Sequence, residues 1–398
     1  MKLLQTLFGL ILLLGSALGL FLSSWIVLTT PYFFTYRLSV GAPEVSPWLM
    51  GLNAIVGLLA LGLRVSWLKW TVLILSGVGF ALSASPLVQF PTTIQRINTA
   101  IAATWGTDYQ NRVPVSLQKQ WRPHPLVLTD VFQGISLESV RVATDIPFAN
   151  PDNIPLTLNV YRPMQPGTYP GVVMIHGGAW RSGSPYDNEQ FNRYLAAQGY
   201  TVIAISYRLA PTHLFPAQLD DVQTALRFIQ QHAAEYEMDE NRMALMGRSA
   251  GAHLAMLAAY QPDAPAFRAV VNYYGPVNLE AGYYDLPNPD PINVRLMLEG
   301  FIGGAPSSFA KQYQQASPSN LVRSGLPPTL LIYGDRDHIV QSKFGRRLAE
   351  QLRSFNNSAV FINIPWAEHA FDAVFNGISN QLAIYYTERF LGWALHSE

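Results

Sequence analysis

Charge is distributed along this 398-residue chain in a way that limits its architecture before any motif is considered. There are 26 Lys and Arg and 26 Asp and Glu, yet residues 1–90 hold only Lys2, Arg37, Glu44, Arg64 and Lys69. A segment so poor in charge has no solvated face and must bury itself in protein or in lipid. Positions 7–28 are nearly continuous Leu, Ile, Phe and Val, long enough for a hydrocarbon core about 30 Å thick. Positions 46–63 and 70–87 offer two further apolar stretches, so about three transmembrane helices are expected. Residues 64–69 are too few to cross anything, which makes the second and third stretches an antiparallel hairpin. The positive-inside bias then assigns Lys2, Arg64 and Lys69 to the cytoplasmic side, and the 32–46 loop and everything after 87 to the extracytoplasmic side. Two other readings compete: a cleaved leader over about 1–19, after which the hairpin would start and finish outside and the C-terminal part would keep its location, and a pair of buried core helices in a soluble protein.

Composition removes several function classes. Net charge is zero and no basic run exceeds Arg346-Arg347, so there is no electrostatic footprint for nucleic acid. Cysteine is absent, which excludes disulfides, thiolate metal sites and cysteine nucleophiles. No phosphate loop, dinucleotide fingerprint or metal-ligand cluster occurs, and no cofactor is implied.

Residues 91–125 read as an amphipathic linker or cap. Ile94, Ile97, Ile101 and Trp105 recur at helical spacing, and the Pro-bearing stretch 113–125 reads as a connector. From 126 to 398, strand-like segments at 140–144, 156–161, 171–175, 201–206, 242–246, 269–273, 329–333 and 360–364 alternate with helical ones, among them 215–236, 342–352 and 382–395. That order predicts an α/β domain with a mostly parallel eight-stranded sheet and flanking helices.

Gly247-Arg248-Ser249-Ala250-Gly251 follows a short apolar strand and opens a run of small residues suited to a helix. In that setting G-x-S-x-G reads as a nucleophile elbow, a turn so tight that its flanking positions tolerate no Cβ. The pentapeptide alone is weak support, but three further segments fit. His176-Gly177-Gly178-Ala179-Trp180 follows a strand, so the Gly177 and Gly178 N–H groups, with that of Ala250, are candidates for an oxyanion hole. Asp335 and Asp337 both lie just beyond the 329–333 strand, where active-site loops gather. His369 follows the last strand, 32 residues after Asp337, itself 88 after Ser249, giving the chain order Ser, Asp, His. His124, His213, His232 and His396 are poorly placed as bases. His253 should point along the helix after Ser249, and His338 sits too near the acid to be held by it from a separate loop.

At these residues the chain resembles the α/β-hydrolase superfamily, in particular the esterases related to hormone-sensitive lipase and bacterial carboxylesterase-like enzymes. The resemblance covers about 126–395 and includes Tyr207-Arg208-Leu209-Ala210-Pro211, Phe215-Pro216-Ala217, Tyr274-Gly275-Pro276 and Ala316-Ser317-Pro318. The family pattern, with chain order, favours Asp337 over Asp335, and implies a structural ion pair of Arg208 with Asp220 or Asp221. Arg248 stands where an acid is common, and Ala179, Ala252 and Ala370 stand where glycines are common. Arg248 is expected to point to the surface, or else to favour an anionic substrate. Residues 278–325 form an insertion expected at the pocket mouth.

The resemblance implies a serine hydrolase acting on small-molecule or lipid-like carboxylic esters, which the apolar N-terminal stretches would anchor in a membrane. Ser249 would be its nucleophile, His369 its base and Asp337 the group orienting His369. An acyltransferase or peptidase would use the same triad, and a non-catalytic binding module would be expected to show a damaged one.

Overall fold

The computed structural model describes residues 2–396; Met1, Ser397 and Glu398, which fall within the outermost segments just outlined, lie outside the described residues. Its centre is an eight-stranded sheet: β1 (Arg141–Ala149), β2 (Leu156–Arg162), β3 (Tyr169–Ile175), β4 (Thr201–Ile205), β5 (Met238–Arg248), β6 (Ala269–Tyr273), β7 (Thr329–Gly334) and β8 (Ala359–Ile364). The strand order is β1-β2-β4-β3-β5-β6-β7-β8. β2 pairs antiparallel with both neighbours, and all pairs from β4 to β8 are parallel. The inner strands read as unbroken apolar runs because helices cover both faces; every residue of β4, β6 and β7 is buried. The 278–325 insertion is helical, with Leu279–Tyr284, Val294–Ile302 and Pro306–Gln315.

The described chain opens on α1 (Lys2–Ser24), α2 (Phe33–Glu44), α3 (Ser46–Ala60) and α4 (Ser66–Trp105), with three short helical turns between α4 and β1. Two of them, α1 and α4, are long and apolar enough to cross a membrane, with mean hydropathy 2.2 and 1.8 in their apolar windows. The expectation of about three such helices is therefore corrected. α3 has 15 residues, a rise of about 22 Å against a core about 30 Å thick, because the chain enters it almost directly from α2. A further difference concerns α4, whose 40 residues run unbroken through 87–91, where the sequence reading separates a span from an amphipathic linker. Pro86 removes the N–H that would reach the Leu82 carbonyl, and the Ser85 hydroxyl donates to that carbonyl instead at 2.7 Å.

Small residues line the contacts among α1, α3 and α4. A Cβ added at Gly19 or Gly79 would collide with the Asn53 side chain. Asn53 donates to Ser23 Oγ at 3.0 Å, and Ser23 Oγ lies 2.8 Å from Ser83 Oγ. Leu7, Ile11, Leu14, Leu18, Ile55, Leu58, Trp70 and Ile74 face outward and exposed. Such a small-residue seam with an apolar exterior is the inverse of a water-soluble bundle.

The second half of α4 and the buried face of α2 (Tyr36, Ser39, Ala42, Pro43 and Glu44) pack on the sheet domain. Phe90 stacks on Trp366, and Trp105 stacks on Phe390 and Trp393. Trp48 Nε1 donates to the Val131 carbonyl at 3.1 Å. Glu44, wholly buried, accepts the Ser379 N–H at 2.8 Å. Burial pushes its carboxyl up to about 8, although the Ser379 bond opposes the shift. A raised folded-state pKa means that folding takes up a proton between the ordinary 4.5 and about 8, so this contribution to stability is present at acid pH and lost as pH rises through that window. Glu388, raised by burial to about 7, acts in the same sense. Melting temperature in detergent is thus expected to fall from pH 5 to pH 9, and Glu44→Gln to flatten part of that slope. An unchanged slope in the variant would contradict the assignment.

Candidate functional site

The elbow lies where β5 ends. Ser249 holds φ 51° and ψ −122°, a conformation that L residues avoid and that surrounding structure must impose. The two glycines permit it: a Cβ at Gly247 would run into the Gly251 backbone, and one at Gly251 into the Ile175 carbonyl. The Ser249 N–H donates to the Tyr273 carbonyl at 2.9 Å, and its own carbonyl accepts the His253 N–H at 3.0 Å. The hydroxyl is left free to face the cleft.

Three side chains that are distant in sequence meet there. His369 Nε2 lies 2.9 Å from Ser249 Oγ, and His369 Nδ1 lies 2.7 Å from Asp337 Oδ2. The second Asp337 oxygen accepts the Ile339 and Val340 N–H groups at 2.8 and 2.7 Å, which fixes the carboxylate. Asp335, the alternative, instead accepts Asn363 Nδ2 at 2.9 Å and Ser342 Oγ at 3.2 Å.

The loop after β3 rests against the elbow. A Cβ at Gly177 would lie 2.9 Å from the Arg248 carbonyl oxygen and 3.5 Å from Ser249 Cβ. Gly178, Ala179 and Trp180 all hold positive φ, at 105°, 51° and 59°. Ala250 opens the helix Ala250–Tyr260, so its N–H is a first-turn donor that no carbonyl within the helix can take. Ala179 and Ala370 (φ 58°) keep the left-handed backbone that glycine adopts readily, although each carries a methyl group.

The other histidines have different work. His253 is fully buried; it accepts from Trp180 Nε1 at 3.2 Å and donates from Nε2 to the Ala316 carbonyl at 2.6 Å. Burial pushes it down to about 4, so it is a neutral brace for the loop carrying Trp180. His176 donates from Nδ1 to the Gly177 carbonyl at 2.8 Å and stacks on Tyr207. His338 Nδ1 lies 2.6 Å from Glu368 Oε1.

Arg248 does not point to the surface, nor does it offer a free cation to substrate. Its side chain is 5% exposed and ion-paired with Asp372, and its guanidinium lies 4.4 Å from the Phe191 ring centroid. Tyr274 also donates to Asp372. A buried cation needs such a partner, and the partner is hard to read from sequence because it sits 124 positions away. Arg208 is paired with Asp221 at 2.8 Å and with Asp152 at 2.5 Å; Asp220, the other acid considered for it, makes neither contact.

Two connected spaces open on Ser249. One, a narrow recess, is walled largely by apolar side chains including Val277, Leu279, Ile292, Leu298 and Phe344. The other, wider one is lined by His369, Gly177 and Gly178 and bordered by Phe33 of α2. The mostly parallel eight-stranded sheet, with its switch point at β3 and the strained Ser249 turn at the tip of β5, has the α/β-hydrolase fold.

Comparison with known proteins agrees with that class. The BD-FAE family profile matches residues 158–352. The chain is 31% identical over 242 residues to the probable carboxylic ester hydrolase LipM of Mycobacterium tuberculosis, covering 56% of this chain and 54% of LipM. It is 32% identical over 236 residues to esterase LipC of the same organism, covering 54% of this chain and 57% of LipC. The chain thus spans little more than half the length of these two relatives. A propionate-bound esterase from Thermogutta terrifontis superposes with TM-score 0.53 at 23% identity, over 65% of this chain and 96% of that one, a likeness of fold.

Proposed function

We propose that the chain is a membrane-anchored serine esterase that hydrolyses carboxylic esters through Ser249, His369 and Asp337. The observation that carries this reading is the relay of 2.9 and 2.7 Å from Ser249 through His369 to Asp337, built on a serine with positive φ. His369 Nε2 takes the hydroxyl proton as Ser249 Oγ attacks the acyl carbonyl, and Asp337 holds the imidazole tautomer and stabilises its cation. The N–H groups of Gly177, Gly178 and Ala250 receive the developing oxyanion, each such donor being worth roughly 10²–10³ in rate. Collapse of the tetrahedral species releases the alcohol, protonated by His369. Water then repeats the attack, leaving an acid and the free enzyme. The apolar lining of the recess beside Ser249 suits the acyl chain. In an assay of nitrophenyl esters of increasing acyl length, turnover should rise and then drop once the chain outgrows this pocket; no turnover at any length would overturn the reading.

In this proposal α1 and the first half of α4 cross the bilayer, the shorter α3 with the turn after it returns the chain to the cytoplasmic side between them, packed against both, and the hydrolase domain lies on the extracytoplasmic side. Support comes from the exposed Leu, Ile and Trp side chains of the three helices, the small-residue seam, and the cations Arg64 and Lys69 at the distal turn. The chain has no cysteine, so Ser66→Cys gives a single reporter. It should resist an impermeant thiol reagent in intact cells and react after permeabilisation; reaction in intact cells would invert the topology.

A further inference from the structure

The two loops that carry Asp337 and His369 are joined by a buried carboxylate that nothing in the triad requires. Glu368 immediately precedes His369 and is 0% exposed. Its Oε1 lies 2.6 Å from His338 Nδ1, and its Oε2 accepts the His338 N–H at 3.2 Å. His338 immediately follows Asp337, so Glu368 clamps the residue after the acid to the residue before the base. The same Oε2 accepts a third bond, 2.8 Å, from the hydroxyl of Tyr36 on α2, 332 positions earlier in the chain.

Tyr36 is held for this task. Its side chain is buried, and burial first, then the nearby Asp337 and Glu368 carboxylates, raise the phenol well above its ordinary range, so it stays protonated and donates. The segment on either side of it is tied down too. Arg336, next to Asp337, donates to the Leu28 carbonyl at 3.2 Å, and Glu44 at the other end of α2 accepts from Ser379. One turn before Tyr36 on the same helix, Phe33 borders the cleft that contains Ser249 and His369.

We infer that α2 completes the active site: Tyr36, acting through Glu368 and His338, is a positioning residue for the Asp337–His369 pair, and Phe33 is a wall of the site that receives the alcohol portion of the ester. The N-terminal helical region is then part of the catalytic apparatus as well as an anchor. A carboxylate left with one partner fewer in a buried place can rotate or draw in water. Either change shifts the two triad loops relative to each other, and a displacement of about 1 Å at such a site costs on the order of 10²-fold.

The inference rests on the esterase reading, and the test separates the two. Full-length native chain, Tyr36→Phe, Glu368→Gln, the double variant and Phe33→Ala are compared with water-soluble nitrophenyl and bulkier-alcohol esters of one acyl chain. Tyr36→Phe keeps the ring and removes only the donor. It should lower kcat by about 10-fold or more with KM nearly unchanged, while melting temperature moves little. The double variant should lose scarcely more than the worse single variant, because both act through one network. Phe33→Ala should raise KM for the bulky-alcohol ester by a clearly larger factor than KM for the small one. A Tyr36→Phe chain with native kcat, or losses in the double variant that simply multiply, would overturn the positioning role; equal KM changes on both esters would overturn the role of Phe33. A native chain that neither turns over esters nor takes a fluorophosphonate label removes the esterase reading itself, and the inference with it.

Discussion

Ser249→Ala should reduce kcat on a nitrophenyl ester by about 10⁴–10⁶-fold while KM changes little, since the hydroxyl is the bond-forming atom and the pocket is untouched. His369→Ala should lose a comparable factor, and combining the two should cost little beyond either alone, because a nucleophile without its base and a base without its nucleophile are both idle. Asp337→Asn should lower kcat by roughly 10⁴-fold by leaving the imidazole in the wrong tautomer. Each variant should keep the native circular dichroism spectrum, as Ser249 is only half-buried. A Ser249→Ala chain retaining more than a few per cent of native turnover, after contaminating esterases are removed, would contradict the mechanism.

The second large effect concerns stability. Arg248→Met should remove the cation from a site where Asp372 stays buried, with its side chain 3% exposed. Breaking a buried pair from one side costs about 3–5 kcal/mol, which at roughly 2–4 °C per kcal/mol for a domain of this size is a fall in melting temperature on the order of 10 °C. Because Asp372 follows His369 by three residues and also accepts from Tyr274, whose ring centroid is 4.6 Å from that of His369, activity should fall with stability. The double variant Arg248→Met with Asp372→Asn should recover much of the loss, since no unpaired charge then remains. Equal melting of the single and double variants would show that the pair is not what holds this corner together.

The parts of the molecule legible in the sequence are those set by local rules. Strands such as 171–175 and 329–333 announce themselves as short apolar runs between breakers, and correspond closely to β3 (Tyr169–Ile175) and β7 (Thr329–Gly334). The elbow glycines are legible because the constraint on them is backbone geometry within five residues. What stayed hidden depends on partners far away. Arg248 looked like a surface residue because Asp372 is remote in sequence. Glu368 and Tyr36 carried no motif at all, and only the docking of α2 on the β7 and β8 loops brings them together. The sequence reading divides α4 at 87–91 because the fully apolar run stops there and an amphipathic pattern begins, a change of surroundings and not of backbone: the helix continues past Pro86, with the Ser85 hydroxyl donating to the Leu82 carbonyl. The expected span at 46–63 rests on apolar length alone, which cannot register that Glu44, at the end of α2 and just before α3, is tied to the hydrolase domain.

Location of a fluorophosphonate adduct on the full-length chain tests the central claim most directly. After labelling, digestion and mass spectrometry, the account predicts a single phosphonylated residue, Ser249, with labelling lost in Ser249→Ala and strongly slowed in His369→Ala. An adduct on a different residue, or labelling of the Ser249→Ala chain at the native rate, would contradict it.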